Sequence, residues 1–519
     1  MEIKNDYGKA LSFGHRNLAL VYKSILVGLC AGFITILYRI ALTQAELWSL
    51  GIYGWLRENA WWTLLAFPSL ATIGIGIGLL VKKYPLISRS GIPQVKGQLL
   101  GYFKPQWIST LIFKFLGGIV TILAGLSVGR EGPSIQLGSA AANGIGNRLA
   151  STRTEKKVLI VSGASAGLAV AFNAPLAGVM FALEEIFRYF SPTVLLATLS
   201  AAVTAEFVSE IVFGLEPIFH FTVAEAIPLY HYIFIGILGI LIGGAGAFYN
   251  LFLLKTISVY ESLGKKSPWV KYIIPFIIAG ILGLTFPVVL GGGAQIVDNL
   301  SVEKTIPWLV LALALKFLFS MISFGSGVPG GIFFPLMVIG ALIGAIYGQG
   351  VLYFFDIDKL FFDSFVIFAM AGFFAAIVRA PLTGIILLTE MTGSFSHFLP
   401  LTFVSVIAYT TADFLRSAPI YESLLLNLLK DREGVNEEGD HFRKTTFETV
   451  VHHGSRIENQ SLKDLSLPEH ALIVAIRRNG RDITPRGNTV IKAGDSLIIL
   501  TNINLESTIR EILQEWTEA

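Results

Sequence analysis

Charge is scarce in this chain. Asp, Glu, Lys and Arg make up 14% of its 519 residues, where soluble domains carry about 25%. Cysteine is nearly absent: Cys30 stands alone inside an apolar run, which excludes a disulfide within one chain. No cleavable leader is apparent, because residues 1–17 are polar and of mixed charge and the first apolar run is too long for a signal h-region. Net charge is only +3, so no excess of either sign points to a partner, and nucleic acid is not expected. Adjacent His452 and His453 do not have metal-ligand spacing, and no nucleophile–base set accompanies them, so neither a metal site nor an enzyme is expected.

Apolar residues are abundant. They form 53% of the chain, with a mean hydropathy of +0.67. Apolar runs occupy 24–37, 63–81, 107–126, 194–213, 232–254, 272–290, 308–322 and 361–377. Several approach the roughly 20 residues that a helix needs to cross a bilayer. A polytopic, all-α membrane protein follows. Apolar helices are expected over roughly 15–430, within a membrane domain of 1–430. Residues 431–444 (DREGVNEEGDHFRK) form a solvated linker, and 445–519 alternate like a small α/β domain. In that tail 471–476 and 495–501 read as strands, Arg478-Asn479-Gly480 as a turn, and 506–516 as a closing helix.

The apolar part repeats itself. Ala174-Pro175-Leu176-Ala177-Gly178 precedes Glu184, and Ala380-Pro381-Leu382-Thr383-Gly384 precedes Glu390 at the same spacing, 206 residues later. Pro133, Gly138 and Gly144 are matched by Pro335, Gly340 and Gly344, with the prolines 202 apart. Halves of about 15–215 and 225–430 result. Paired glycine/proline-interrupted segments point to a transporter binding site. Spacing leaves inverted and parallel repeats both open.

Three segments share one grammar: Ser90-Gly91-Ile92-Pro93, Gly129-Arg130-Glu131-Gly132-Pro133, and Gly330-Gly331-Ile332-Phe333-Phe334-Pro335. Proline suits a first helical turn, so a helix is expected to start near Gly132 or Pro133. Free N–H groups at such starts, with the positive end of the dipole, make anion cradles; kinks or short loops are the plainer alternative. Glu131 sits beside one cradle. A carboxylate within a membrane segment costs on the order of 3 kcal/mol, so it is either an ion pair with Arg130 or a gate that competes with an anion and leaves when protonated. Glu184 and Glu185 close the run 168–183 and read either as a solvated helix end or as an inner proton acceptor.

These motifs, with Ala171-Phe172-Asn173-Ala174-Pro175-Leu176-Ala177-Gly178 and Tyr421, stand in family order over about 15–430 and resemble the CLC chloride channels and chloride/proton antiporters. The resemblance implies an inverted-repeat fold with re-entrant helices. It also implies a homodimer with a pore in each subunit, in a cell membrane. It assigns anion binding to Arg89, Ser90, Gly91, Arg130, Glu131, Gly132, Ile332, Phe333, Phe334 and Tyr421. Ser90 and Tyr421 would offer hydroxyls, and the backbone amides of the two later motifs would line the sites. Glu131 would be the gate and outer proton carrier, Glu185 the inner one. Channels of the family usually lack an acid at the latter place, so antiport of chloride and protons is expected, with a passive proton-gated channel as the alternative. Ser90 with Tyr421 favours chloride over fluoride. Two departures stand out: Arg89 and Phe334 replace the family's usual glycine and alanine.

The tail resembles the C-terminal RCK (TrkA-C) module in 473–478 and 485–495. That likeness implies a cytoplasmic, dimer-spanning regulatory domain that binds a small ligand such as a cyclic dinucleotide, or a ligand-free dimerisation domain. A potassium channel is excluded, since no T-V-G-Y-G filter is present.

Overall fold

Without water to bind the backbone, a chain in lipid satisfies its own N–H and C=O groups, and the apolar runs accordingly fold as helices. The computed structural model describes residues 2–215, 219, 221, 227–430, 444–478, 481–502 and 505–517, with backbone alone at 2–17, 60, 481 and 507. Contacts divide the chain into two units, Met1–Leu425 and Leu426–Ala519.

From the N-terminus run α1 (Glu2–Glu58), α2 (Ala60–Lys83), the short α3 (Ile92–Leu100), α4 (Trp107–Leu123), α5 (Glu131–Leu149), α6 (Arg153–Phe172), α7 (Pro175–Phe181) and α8 (Pro192–Phe213). A second series follows: α9 (Tyr232–Lys266), α10 (Val270–Thr285), α11 (Ala294–Asp298), α12 (Ile306–Gly325), α13 (Phe333–Phe355), α14 (Phe362–Val378), α15 (Pro381–Thr392), α16 (Phe398–Phe414) and α17 (Ile420–Lys430). Among the described residues, seven helices are long and apolar enough to cross a bilayer. Others, such as α3 and α7, are too short to cross at 1.5 Å per residue. Small residues let the central helices touch. Gly138 of α5 packs on the Gly163 backbone of α6, and Gly344 of α13 packs on Phe365 and Val366 of α14.

The duplication appears as geometry. Lys114 of α4 is fully buried and donates to the carbonyls of Ile87 and Arg89. Lys316 of α12, 202 residues on, is equally buried and donates to those of Val289 and Gly291, which also lie 202 further on. Each ammonium fixes the irregular strand between two helices, where carbonyls would otherwise be orphaned. The alanine–proline repeats are joined to one another. Leu176 and Ala177, at the start of α7, donate their amides to Glu390 at 3.0 and 2.8 Å. Leu382 and Thr383, at the start of α15, donate theirs to Glu184 at 3.2 and 2.8 Å. Each half therefore caps the other's helix, a reciprocity that a two-fold relation produces.

In the second unit, β1 (Lys444–Val450), β2 (Leu472–Arg478), β3 (Arg481–Ile483) and β4 (Ser496–Asn502) form an antiparallel sheet in the order β1-β4-β2-β3. Helix α18 (Glu506–Thr517) buries Ile509 and Leu513 against Phe447, Ile476 and Ile499. Both strands and the helix read from the sequence are present within two residues of their expected ends. The turn residues Asn479 and Gly480 and linker residues 431–443 lie outside the described residues; Lys444, read as linker, opens β1.

Candidate functional site

The three glycine/proline segments meet. Arg89 donates its amide to Val328 O and accepts from the Gly330 amide, both at 3.1 Å. Gly129 and Gly331 exchange both backbone hydrogen bonds, at 2.7 and 2.8 Å. Gly132 lies against Ser90 so closely that a Cβ there would strike the serine backbone. Three irregular segments thus brace one another at the centre of the helical unit, where every residue named is buried.

Helix α5 begins at Glu131 and α13 at Phe333, so Pro133 and Pro335 both occupy the third helical position. The start expected near Gly132 or Pro133 thus lies one or two residues earlier. A proline at the third position is still among the four residues whose N–H has no intrahelical partner, so it costs the ladder nothing. The first two amides of each helix have no partner within their own helix, and the Glu131 carboxyl takes those of Glu131 and Phe334. Helix α3 begins after Gly91, whose φ of +98 lets the chain turn into it. Ser90 Oγ accepts from the Ile92 amide at 3.3 Å, which leaves the hydroxyl hydrogen free to donate elsewhere.

Glu131 is 1% exposed. Its carboxyl lies against Gly129 and the Phe334 amide, in the mouth of α13. Oε2 has no hydrogen-bond partner among the described residues. Arg130 Nε pairs with Oε1 at 3.9 Å, an ion pair without a hydrogen bond. Glu131, Arg130, Phe334 and Glu46 line a cavity of about 50 Å³, large enough for water.

Tyr421, at the start of α17, is fully buried and its hydroxyl has no partner among the described residues. It packs edge-on against Phe181, with ring centroids 6.2 Å apart, and Phe181 packs on Phe333. Tyr421 lies within electrostatic reach of both Glu185 and Glu131. Ile332 caps α13, and Phe333 and Phe334 extend the aromatic cluster through Phe172.

The two acids at the end of α7 diverge. Residues Ala182–Phe187 form a π-turn, whose wider pitch aims consecutive side chains differently. Glu184 caps α15, also accepting from Thr383 Oγ1 at 2.7 Å. Glu185 is 1% exposed, 2.6 Å from the Lys96 ammonium and 3.4 Å from Arg188. Neither acid is a solvated helix end.

Of the departures, Arg89 holds φ +54, a conformation that favours the family's glycine. Its guanidinium is tied to Glu261 of α9 at 3.2 Å, with Nε unpartnered among the described residues. Phe334 borders the cavity beside Glu131. Lys96, Lys114 and Lys316 belong to none of the motifs that the sequence displays. The two latter carried a signal, a lysine in each half at the same offset as Pro133 and Pro335, in runs where a charge is costly.

The model of the voltage gated chloride channel family matches residues 73–413, and that of the TrkA-C domain matches 447–514. The H(+)/Cl(-) exchange transporter ClcA of Salmonella typhimurium is 31% identical over 435 residues, 81% of this chain and 91% of its own. A crystal structure of a slow cyanobacterial Cl−/H+ antiporter is 32% identical, with a TM-score of 0.74, over 80% of this chain and 99% of its own. A eukaryotic CLC transporter is 25% identical, with a TM-score of 0.65, over 79% of this chain and 74% of its own.

Proposed function

This chain belongs to the voltage gated chloride channel family, and from that premise we infer that it is a secondary active antiporter that exchanges chloride for protons. The observation that carries this reading is the seat of Glu131: a buried carboxyl in the mouth of α13, against the Phe334 amide, where an anion would be held. While ionised, Glu131 fills the cradle itself. On taking a proton it loses the charge that the amides and helix dipole hold, and it yields the place to chloride. The amides of Glu131, Gly132, Phe333 and Phe334 line the anion sites, and Ile332, Gly91, Arg89 and Arg130 frame them. Ser90 and Tyr421 supply hydroxyl donors, each with a hydrogen free to give.

Glu185 carries protons on the inner side. Its burial beside Lys96 gives protons a place of their own on that side, which a passive channel would not need. The reading extends to a homodimer in the lipid bilayer of a cell membrane, with a pore in each subunit. Residues 447–514 form a cytoplasmic regulatory domain that takes a small ligand such as a cyclic dinucleotide. Apolar side chains on the outer face of α8, such as Phe207 and Ile211, suit contact with lipid or a second subunit.

The test is proton uptake by the purified protein in liposomes under an imposed chloride gradient with the membrane potential clamped. Uphill proton movement is expected. Chloride flux without it would make the protein a channel and Glu185 a bystander.

A further inference from the structure

A lysine and a glutamate are buried together here, at 6% and 1% side-chain exposure, with their charged atoms 2.6 Å apart. Burying such a pair costs more desolvation than an apolar pair of the same size, so stability alone is a poor reason for it. Ionisable groups at this depth mark function by default. Lys96 stands on α3, the nine-residue helix whose start carries Ser90, and about 6 Å of helix axis separates it from Ile92. One short rigid element therefore addresses the anion at its head and Glu185 on its flank.

The two oxygens of Glu185 are held unequally. Oε1 takes the Lys96 ammonium at 2.6 Å, on the buried side. Oε2 takes Arg188 at 3.4 Å, and Arg188 is 39% exposed and also bonded to Glu422 at 3.0 Å. Arg188 has φ +52, which closes the π-turn and swings its side chain back over Glu185. The looser contact faces the wet side, and the tighter one faces the protein.

We propose that Lys96 is the positioning residue of the inner proton step: it holds Glu185 Oε1 while a proton displaces Arg188 from Oε2. A hydronium ion gives its proton to Oε2 and leaves as water, and Arg188 stays paired with Glu422. The carboxylic acid then gives the same proton to a water molecule on the side of the anion pathway, which leaves as hydronium, and Glu185 returns to a carboxylate. Each of the two transfers breaks one O–H bond and forms another, and no other bond changes. Throughout, the Lys96 contact keeps the carboxyl from rotating away from that pathway. This inference rests on the assignment of Glu185 to the inner proton step.

The test uses full-length protein in liposomes, with chloride and proton fluxes measured together. Lys96→Met and Lys96→Gln are expected to keep chloride flux within about two-fold while protons moved per chloride fall by roughly ten- to a hundred-fold, the scale that misplacing a reacting group costs. Lys96→Arg restores coupling, since it returns a cation to Oε1. Wild-type coupling in both Lys96→Met and Lys96→Gln, or an equal loss of both fluxes with no rescue by arginine, would overturn the proposal. Glu185→Gln separates the two readings. If it leaves proton transport intact, the assignment of Glu185 fails; if it abolishes proton transport while the Lys96 variants stay coupled, only the role of Lys96 fails.

Discussion

At the scale of one residue, the carboxyl of Glu131 competes for amides that an anion also needs, so removing its charge should open the path and sever the coupling. Glu131→Gln and Glu131→Ala are therefore expected to pass chloride with no measurable uphill proton movement in the liposome assay. Coupled proton movement in either variant would count against the gate. Glu131 was legible in the sequence because a carboxylate beside glycine and proline in an apolar segment is too costly to be carried without a role. Arg89 was legible only as a departure. What it does required the fold, since Glu261, which holds its guanidinium, lies on α9, far along the chain.

At the scale of elements, the caps between the repeats separate two adjacent acids. Glu184 and Glu185 are neighbours in sequence, yet one accepts the amides that open α15 and the other meets Lys96. Glu184→Gln keeps the shape but loses the charge at a helix N-terminus, at a cost of about 1 kcal/mol. It should lower the thermal midpoint in detergent and leave the proton-to-chloride ratio unchanged. Glu185→Gln should lower that ratio, with proton transport lost and chloride flux kept. A changed ratio in Glu184→Gln would show that the cap also takes part in transport. The paired lysines obey the same logic. Lys316→Met strands the carbonyls of Val289 and Gly291, and each buried unsatisfied group costs about 1–3 kcal/mol. Lower stability is expected, read as a drop in the thermal midpoint, and Lys114→Met should match it because its two carbonyls are the repeat equivalents. Markedly unequal losses would deny that the two halves are braced alike.

At the scale of the whole molecule, the second unit has a core and a pH dependence of its own. Burial works against the ionised form of Asp495, but Arg478 at 2.7 Å to each oxygen and the Lys492 amide at 2.8 Å hold its carboxyl below the usual carboxylate range. A depressed folded value means that the stabilisation is complete above the unfolded value of about 3.9 and is lost as pH falls through it toward the folded one. Amide protection in β2 and β4 of the full chain, corrected for intrinsic exchange, should fall in that acid range. Asp495→Asn should lower it at neutral pH by on the order of 2 kcal/mol, and its curve should be flatter on acidification. An unchanged acid limb in the variant would mean that Asp495 is not the group that titrates. The sequence by itself determined that the chain lives in lipid, that its helices come in two related sets, where three of them begin, and that a separate strand-bearing unit ends it. Those follow from composition, period and turn chemistry, which act over a few residues at a time. Only the tertiary structure decided which glutamate caps a helix and which faces a buried lysine, that Lys114 and Lys316 are braces, and that the three glycine/proline segments converge on one place. Such outcomes depend on contacts between residues some 25 to more than 200 positions apart, and a burial penalty is set by what surrounds a charge, not by its neighbours in the chain.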